Sequence, residues 1–401
     1  MQTLRGIRIL DLSRVLAGPF CTMGLGDLGA EIIKVEEPGS GDETRGFGPP
    51  FVKGVSTYFL SINRNKKSLA VNLKHPEGVK LIHALAARSD VAVENFRPGV
   101  AERLGVGFER LRAENDRLIY CSISGFGHRG VPEHSKLPGY DAVMQGLAGL
   151  QHLTGQPDGP PTKVGISIAD ILTGMTAMQA ILLALFSRER TGSGCRLDIS
   201  MLDSTVQALT FQAANQLIAN LNPGRAGNRH ASIAPYETFP AKDGYLNLGV
   251  ANDGQFKKLC RLLGTPELAE DQRFAQNPKR VENREELAQR LGAVFLTRPV
   301  GEWVELLQGA GIPAGAILDL AQLFSHPQLH ARGMLVKVDH PALGRIRMVG
   351  SPLNAAQPSG DEAPLPPPAV GEHTAEILTT VLGFTSAEVQ RLAAAQAIAL
   401  R

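Results

Sequence analysis

The sequence is poor in cysteine and carries almost no net charge. Its four cysteines among 401 residues show neither a CxxC pair nor a Cys/His spacing suited to a metal ion, and they are Cys21, Cys121, Cys195 and Cys260. This usage is typical of a reducing compartment, so we expect a cytoplasmic protein without a metal site. The 41 basic and 39 acidic residues leave a formal charge of +2, which gives no global field for nucleic acid or an anionic membrane.

We also expect neither a signal peptide nor a membrane-spanning helix. The N-terminus MQTLRGIRILDLS has neither the basic region nor the long apolar core of a signal peptide. The longest apolar run, residues 171–186, is interrupted by Gly174 and Gln179 and is shorter than the roughly 20 residues that a spanning helix needs. We therefore expect a buried helix here, no membrane partner, and two or three globular domains from the length.

The first 125 residues alternate apolar, strand-like runs with helix-like stretches. The strand-like runs are residues 7–12, 31–36, 68–73, 90–96 and 118–126, and the helical stretches between them lie near 18–28, 76–88 and 98–117. This pattern predicts an α/β fold with a doubly wound parallel sheet, whose ligands bind at the carboxyl ends of the strands. Polar candidates follow three of these runs, namely Arg14, Lys74 and the group Asn95, Phe96 and Arg97.

The rest of the chain predicts a smaller second domain. The helix that follows Asp170 runs to about residue 190 and ends at the glycine-rich TGSG, and a strand follows at 195–200. Residues 222–229 are rich in Asn, Pro, Gly and Arg and indicate a linker, after which a hairpin (234–250) and three helices form an α+β domain. We predict a large domain at 1–222, a small domain at 223–311, a return to the large domain at 312–401, and an exposed connector at 357–370.

The stretch GLGDLG at 24–29 matches the dinucleotide fingerprint G-x-G-x-x-G, and Glu36 and Glu37 close the next strand-like run. That fingerprint requires its glycines directly after the first strand, where a helix N-terminus meets the pyrophosphate. Here the glycines come about twelve residues later, just before the second strand. We interpret them as close packing and the end of a helix, and keep an NAD-dependent dehydrogenase as an alternative of another class.

Asp170 is the acidic residue at the head of the long apolar run. Ser167-x-x-Asp170 is the pattern of a capping box, in which side chains satisfy the first N–H groups of a helix. The alternative is a catalytic carboxylate, which the helix dipole would keep ionised even when partly buried. The local pattern alone leaves both open.

Several stretches between residue 6 and residue 350 carry a family pattern, and they include RILDLSRVLAGPF, NRNKKSLAVNLKHPEG, VENFRPG, RLIYCSISGFG, GYDAVMQGLAGL, ADILTGM and HPQLHARGM. Together, and in this order, they resemble the class III CoA-transferases, the group that includes formyl-CoA transferase and carnitine CoA-transferase. The resemblance implies a CoA-transferase in which the aspartate of ADILTGM, Asp170, is the nucleophile. It also implies a homodimer of interlocked subunits, with CoA as a substrate and no tightly bound cofactor.

The resemblance also implies a set of CoA contacts, which lysine, arginine and aromatic side chains suit chemically. They map onto Val15, Leu16, Ala17, Val71, Asn72, Lys74, Asn95, Phe96, Arg97, Arg103, Gly139, Tyr140 and Asp141. Where relatives often have an arginine beside the adenine, this chain has Glu37, which leaves that contact open. We further expect an oxyanion-stabilising loop near 227–232.

The implied mechanism is ping-pong transfer through an aspartyl anhydride and an aspartyl-CoA thioester. We expect a short dicarboxyl-CoA such as succinyl-CoA as donor and a small dicarboxylic acid as acceptor, whose second carboxylate needs a cation or hydrogen bonds. The candidates for that contact are Arg14, Arg45, Arg64 and His230. An α-methylacyl-CoA racemase is the alternative on the same scaffold, although Tyr140 stands where such relatives carry histidine and is a poor base. A further alternative is a noncatalytic CoA-binding protein, which would keep the CoA contacts but would not need Asp170 as a nucleophile.

Overall fold

The computed structural model describes residues 2–353 and 364–401. These residues fall into two compact units, one drawn from Met1–Leu150, Val164–Ala219 and Pro327–Arg401 and the other from Gln151–Lys163 and Asn220–His326. The first unit therefore contains most of the predicted large domain and its C-terminal return, but residues 151–163, 220–222 and 312–326, which were predicted to belong there, lie in the second unit. The second unit is larger than the predicted small domain at both ends.

The first unit is built on a six-stranded parallel sheet. The strands of the unit up to residue 200 are β1 (Arg8–Asp11), β2 (Glu31–Glu36), β3 (Phe51–Val52), β4 (Val55–Ser56), β5 (Lys66–Ala70), β6 (Val91–Glu94), β7 (Ile119–Ser124) and β8 (Arg196–Ser200), and six of these eight form the parallel sheet. The order in the sheet is β5-β2-β1-β6-β7-β8, and β3 and β4 form a separate small hairpin. The order reverses direction between β1 and β6, which is the point where doubly wound sheets open a crevice for a ligand.

Helices cover both faces of this sheet. The helices up to residue 219 are α1 (Ala17–Asp27), α2 (Thr57–Ile62), α3 (Pro76–Ala86), α4 (Val100–Arg103), α5 (Phe108–Glu114), α6 (Pro132–Ser135), α7 (Asp141–Leu147), α8 (Leu150–Leu153), α9 (Ile168–Thr191), α10 (Met201–Gln207) and α11 (Thr210–Ala219), and of these α8 lies mostly in the second unit. Ile9 and Leu10 of β1 illustrate the alternation, since they belong to separate buried clusters on the two faces. The cluster around Ile9 includes side chains of α1 and α9, and the cluster around Leu10 includes side chains of α3.

Helix α9 has 24 residues and ends at Thr191, close to the predicted end near residue 190, and by length and composition it could cross a membrane. Among the described helices it alone meets that criterion, which the core helix of a soluble protein also meets. It packs along α1 and against β7 and β8. Gly192 ends it in a left-handed conformation (φ 74°), as the TGSG stretch predicts.

The second unit contains a three-stranded antiparallel sheet and helices packed on it. Its elements are β9 (Tyr236–Ala241), β10 (Gly244–Gly249), α12 (Asp253–Leu262), α13 (Glu267–Glu270), α14 (Asn277–Glu282), α15 (Arg284–Phe295), α16 (Val300–Gly309), β11 (Ala314–Ala316) and α17 (Leu320–Phe324). The prediction that residues 312–318 begin the return to the large domain is wrong. Strand β11 instead pairs with β10, so this segment completes the small sheet.

The C-terminal part of the first unit adds a hairpin and two helices. Its elements are α18 (Pro327–Ala331), β12 (Leu335–His340), β13 (Gly344–Val349), α19 (Thr374–Thr380) and α20 (Ser386–Ala394). Part of the predicted connector, 357–363, lies outside the described residues. The remainder is not exposed throughout, because Pro367 and Pro368 are buried and the Leu365 backbone forms hydrogen bonds with Asn65.

The C-terminal segment lies along the outer edge of strand β5. The N–H of His373 donates to the carbonyl of Ser68 (3.0 Å), the Thr374 hydroxyl accepts from the N–H of Ala70 (3.1 Å), and the N–H of Ala399 donates to the carbonyl of Ala70 (3.1 Å). The edge of the sheet is thus satisfied by chain more than 300 residues away in sequence.

Candidate active site

A cavity of about 360 Å³ opens at the carboxyl ends of the central strands of the first unit. Its walls come from the segments that follow β1, β6 and β7, from residues 137–141, and from Asp170 and Met201. The lining residues are Arg14, Val15, Leu16, Ala17, Glu43, Asn95, Phe96, Arg97, Pro98, Ile123, Ser124, Gly125, Leu137, Pro138, Gly139, Tyr140, Asp141, Asp170 and Met201. The site therefore lies where the strand order predicts a ligand crevice.

The loop after β1 forms one wall, and the loop after β6 fixes its shape. The Arg14 N–H donates to Oδ1 of Asn95 (2.8 Å), and Nδ2 of Asn95 donates to the Arg14 carbonyl (2.6 Å). The next residue, Val15, has a left-handed backbone (φ 66°), which is costly for a β-branched side chain. The strained residue lies on the cavity, where neighbouring contacts hold the backbone in place.

A fully buried ion pair also supports the loop after β1. Nζ of Lys34 lies 2.7 Å from Oδ2 of Asp42 and donates to the Ser13 carbonyl (3.0 Å). Burial favours a higher pKa for Asp42, but the charge and hydrogen bond of Lys34 and the bonds from Thr44 lower this pKa to about 2. The 3-10 turn Glu43–Gly46 begins directly after Asp42, so the ion pair positions both the loop and the turn that carries Glu43.

Asp170 lies in the first turn of α9, but it does not form the capping box that the local pattern had left open. Among the described residues, the side chain of Ser167 accepts no capping hydrogen bond at the N-terminus of α9. Instead, Oδ1 of Asp141 accepts the hydrogen bond from the Ala169 N–H (2.9 Å). The capping function therefore belongs to a residue 28 positions earlier, and the Asp170 carboxylate is left for another role.

The electrostatics of Asp170 are opposite to the expectation that it stays readily ionised. Burial and, secondarily, the charge of Asp141 raise its pKa to about 7. Within residues 2–353 and 364–401, no side chain or backbone N–H donates a hydrogen bond to the Asp170 carboxylate, and no cation is paired with it. A carboxylate that is partly desolvated and unpaired is a better nucleophile than one held in a salt bridge.

Asp141 and Gln145 of α7 hold the segment that leads into α9. Nε2 of Gln145 donates to Oδ2 of Asp141 (2.7 Å), while Oε1 of Gln145 accepts from the N–H of Val164 (2.9 Å). Gln145 is fully buried, so these bonds are protected from water. The position of Asp170 is therefore fixed by side chains from a neighbouring helix.

Two glycines explain how the 137–141 segment reaches the cavity. A Cβ on Gly125 would come within 2.8 Å of the Cα of Gly139, and a Cβ on Gly139 would collide with the Cα of Gly125. Only glycine at both positions lets these backbones touch. This contact presents Tyr140 and Asp141 to the cavity.

Sequence reasoning missed several residues of this region. Glu43, Ser124 and Met201 line the cavity, and the phenol of Tyr58 lies near Asp170. Burial and then the Asp170 charge raise the pKa of Tyr58, against a hydrogen bond with Ser167 that lowers it. No local pattern marks these residues, because each reaches the site through packing between distant segments.

Eleven of the predicted site residues line the cavity, and the others lie elsewhere. Those on the cavity are Arg14, Val15, Leu16, Ala17, Asn95, Phe96, Arg97, Gly139, Tyr140, Asp141 and Asp170. Val71, Asn72 and Lys74 follow the edge strand β5, where Lys74 is exposed and 3.9 Å from Glu37. Arg103 ends the short helix α4, away from the cavity lining.

Two of the arginines predicted to bind carboxylates are engaged in internal ion pairs. Arg45 pairs with the buried Glu36 (2.7 Å) and stacks on Phe59. Arg64 is buried and forms a two-pronged pair with Asp27. Neither lines the cavity, which corrects the expectation of guanidinium groups directed at substrate.

His230 belongs to the second unit. Its Nδ1 accepts a hydrogen bond from the Ser232 N–H (3.1 Å), and its ring packs on Tyr236. The expected oxyanion loop at 227–232 lies in the same unit. The roles of both stay predictions.

The GLGDLG glycines lie at the end of α1 and not after β1. A Cβ on Gly24 would come within 2.8 Å of Sδ of Met178 on α9, and Gly29 has a left-handed φ of 99° just after the helix. Close helix packing and helix termination account for both positions. This arrangement gives no support to a nicotinamide site.

Comparison with known proteins identifies the family. The model of CoA-transferase family III matches residues 4–374. The chain belongs to CoA-transferase family III. The transferase is 46% identical to succinyl-CoA:glutarate CoA-transferase of Mus musculus over 98% of this chain and 89% of that protein. It is 40% identical to succinate–glutarate CoA-transferase of Agrobacterium fabrum over 94% of both chains.

Solved structures agree with this assignment. The transferase superposes on the crystal structure of a CAIB/BAIF family protein from Brucella suis with a TM-score of 0.81 and 41% sequence identity, over 93% of this chain and 98% of that one. The resemblance found in the sequence is confirmed, and the protein is an enzyme that uses CoA thioesters as substrates.

Proposed function

We propose that the protein transfers CoA from succinyl-CoA, or another short acyl-CoA, to a small dicarboxylic acid through covalent intermediates on Asp170. The observation that carries the proposal is the unpaired Asp170 carboxylate on the cavity at the strand-order reversal, with a pKa raised to about 7. The names of the mouse and Agrobacterium relatives support succinate and glutarate as the acids.

The proposed chemistry begins with the ionised Asp170. Its carboxylate oxygen attacks the thioester carbonyl of the donor, and collapse of the tetrahedral intermediate expels CoA thiolate and leaves a mixed anhydride. The thiolate then attacks the aspartyl carbonyl, which releases the donor acid and forms an aspartyl-CoA thioester. The acceptor carboxylate attacks the aspartyl carbonyl of that thioester and expels CoA thiolate, which leaves a second mixed anhydride. The thiolate finally attacks the acceptor carbonyl of this anhydride, which releases the new acyl-CoA and regenerates the Asp170 carboxylate.

The CoA contacts are proposed along the walls of the cavity and beyond it. The N-terminal end of α1 at Leu16 and Ala17 carries N–H groups that favour anionic groups, and Arg97 supplies a cation beside them. Val71, Asn72, Lys74 and Arg103 stay proposals for the outer part of CoA, because they lie outside the cavity lining.

Mass spectrometry tests the nucleophile. Protein mixed with succinyl-CoA and quenched in acid is expected to gain the mass of CoA less one water on a peptide that contains Asp170. Asp170→Ala is expected to remain folded, to bind CoA, and to show neither adduct nor transfer. A CoA adduct on the Ala variant, or full transfer by it, would contradict the proposal.

A second assay separates transfer from racemisation. The exposed Tyr140 lies on the cavity where a racemase would need a base that works near neutral pH. We expect no exchange of the α-proton of a 2-methylacyl-CoA in heavy water without an acceptor acid. Exchange under those conditions would favour the racemase alternative.

We also propose that the protein works as a homodimer. Exposed apolar side chains on α9 and α11 support an interface with a second copy of the chain. The most exposed of them are Leu183, Phe186, Leu217 and Ile218. Light scattering should give the mass of two chains, and the double variant Leu217→Lys with Ile218→Lys should weaken association. Leu296→Lys, at an exposed leucine of the second unit, is the matched control. A monomeric wild-type protein would contradict this proposal.

Cytoplasmic localisation stays a prediction.

A further inference from the structure

The cavity contains one cationic side chain that is already bound to a carboxylate. Nη1 of Arg14 lies 2.9 Å from Oε1 of Glu43, and both residues line the cavity. Among the described lining residues the cations are Arg14 and Arg97, and of these two only Arg14 has an ion pair. We propose that Arg14 binds the second carboxylate of the acid substrate and that this carboxylate replaces Glu43 on the guanidinium. The inference rests on the proposed function.

Arg14 is held where such an exchange is possible. Its backbone is fixed on both sides by Asn95, and its guanidinium lies over the Phe96 ring, 5.4 Å from the ring centroid. The backbone anchor limits where the side chain reaches, and the ring limits its tilt. A guanidinium presents a fork of donors that matches a carboxylate, so a free acid reproduces the contact that Glu43 makes.

Glu43 is suited to being displaced. Its side chain is 52% exposed and that of Arg14 is 46% exposed, so the pair is wet and weak. The backbone of Glu43 is fixed by the adjacent buried pair of Lys34 and Asp42, so its carboxylate can rotate away without disturbing the loop. The bond to Glu43 neutralises Arg14 until the dicarboxylate arrives.

The two ends of the acid then have different partners. One carboxylate reacts at Asp170, which has no cation partner among the described residues, and the other is neutralised by Arg14 in the same cavity of about 360 Å³. A monocarboxylic acid of equal length would leave the Arg14–Glu43 pair intact and gain nothing from it. Arg14 thus discriminates dicarboxylates from neutral-ended acids.

A single-turnover experiment isolates this step from CoA binding. Wild-type, Arg14→Gln, Arg14→Lys and Glu43→Gln proteins are incubated with succinyl-CoA until the aspartyl-CoA adduct no longer increases, and the isolated adduct is mixed with acceptor. The acceptors are glutarate and its monoamide, which differ in the charge at one end. The rate of adduct discharge is measured over a range of acid concentrations.

Arg14→Gln should lower the discharge efficiency with glutarate roughly 10- to 100-fold, since a charge-assisted hydrogen-bonded pair is lost. It should leave the monoamide nearly unchanged. Arg14→Lys should recover part of the preference, and Glu43→Gln should lower the glutarate concentration needed for half-maximal rate because the competing carboxylate is gone.

An equal loss for both acids in Arg14→Gln would overturn the inference while the adduct itself upheld the proposed function. If Arg14→Gln preferred glutarate over its monoamide as strongly as wild type does, the inference would also be overturned, and the adduct would still uphold the proposed function. Absence of the adduct from wild-type protein would overturn the proposed function and the inference together.

Discussion

Asn95 joins the loops after β1 and β6 by pairing its side-chain amide with both the N–H and the carbonyl of Arg14, at 2.8 Å and 2.6 Å. The sequence resemblance implied a CoA contact at Asn95, and the geometry adds a structural role. The amide continues the pairing of two parallel strands beyond their ends, at the point where the sheet opens to the cavity.

Asn95→Ala should lower transfer activity more than its cost in stability explains. Loss of the two bonds should cost about 1–3 kcal/mol of unfolding free energy and release the loop that holds Val15 in its left-handed conformation. We expect kcat/KM to fall by about tenfold or more. Asn115→Ala is the control, because that side chain also bonds to backbone carbonyls, those of Ala86 and Ser89, far from the cavity. Equal activity losses in both variants would contradict the assignment.

Activity should follow the ionisation of Asp170. With its pKa raised to about 7, kcat/KM for the acyl-CoA should rise with pH below that value and level off above it. Asp141→Asn removes the neighbouring negative charge and keeps one oxygen to accept from the Ala169 N–H, at the expense of the bond from Nε2 of Gln145, so the midpoint should move to lower pH. Asp116→Asn, at an exposed residue, should leave the midpoint in place. An unchanged midpoint in Asp141→Asn would remove Asp141 as a cause of the raised pKa.

The same pKa predicts a stability cost that depends on pH. An unfolded aspartate ionises near pH 3.8 and the folded Asp170 near 7, so stability falls as pH rises between these values and the full cost is present above about 7. Asp170→Asn should therefore be more stable than wild type at pH 8, by about 1–3 kcal/mol after allowance for partial exposure. The advantage should vanish near pH 4. Melting curves at the two pH values would test this, and a lower stability of the variant at pH 8 would indicate that Asp170 serves as a helix cap.

The buried pair of Lys34 and Asp42 should be far more important for stability than surface pairs. Lys34→Met leaves the Asp42 carboxylate buried without its cation and should cost about 3–5 kcal/mol in denaturant unfolding. Lys80→Met removes an exposed partner of Glu77 and should cost less than about 0.5 kcal/mol. Similar losses in the two variants would be inconsistent with the burial of Lys34.

The sheet was predictable from sequence because its central strands are buried on both faces. Residues 31–36 were predicted as a strand and form β2 with the same bounds, since EIIKVE is bounded by Gly29 and the Pro38 turn. The candidate nucleophile followed from the family resemblance. The environment of Asp170 did not follow from the resemblance. Ser167-x-x-Asp170 is the local pattern of a cap, whereas the residue that caps α9, Asp141, lies on another helix.

The arginines show why local sequence does not reveal ion-pair partners. Arg14, Arg45 and Arg64 all stand near strand ends in the sequence, yet only Arg14 reaches the cavity. The partners of the other two, Glu36 and Asp27, are 9 and 37 residues away and are chosen by how β2 and α1 pack. Likewise, residues 314–316 are too short and too rich in Ala and Gly to indicate a strand without β10 beside them.

The covered edge of β5 sets a constraint on how the protein is made. The strand lies within the first seventy residues, but Ser68 and Ala70 are sealed by residues 373–399 at the far end of the chain. During synthesis this edge emerges from the ribosome hundreds of residues before its cover, and it exposes backbone groups on which another chain can pair. A ribosome-bound chain that lacks the last 35 residues should therefore be more dependent on chaperones than the released protein.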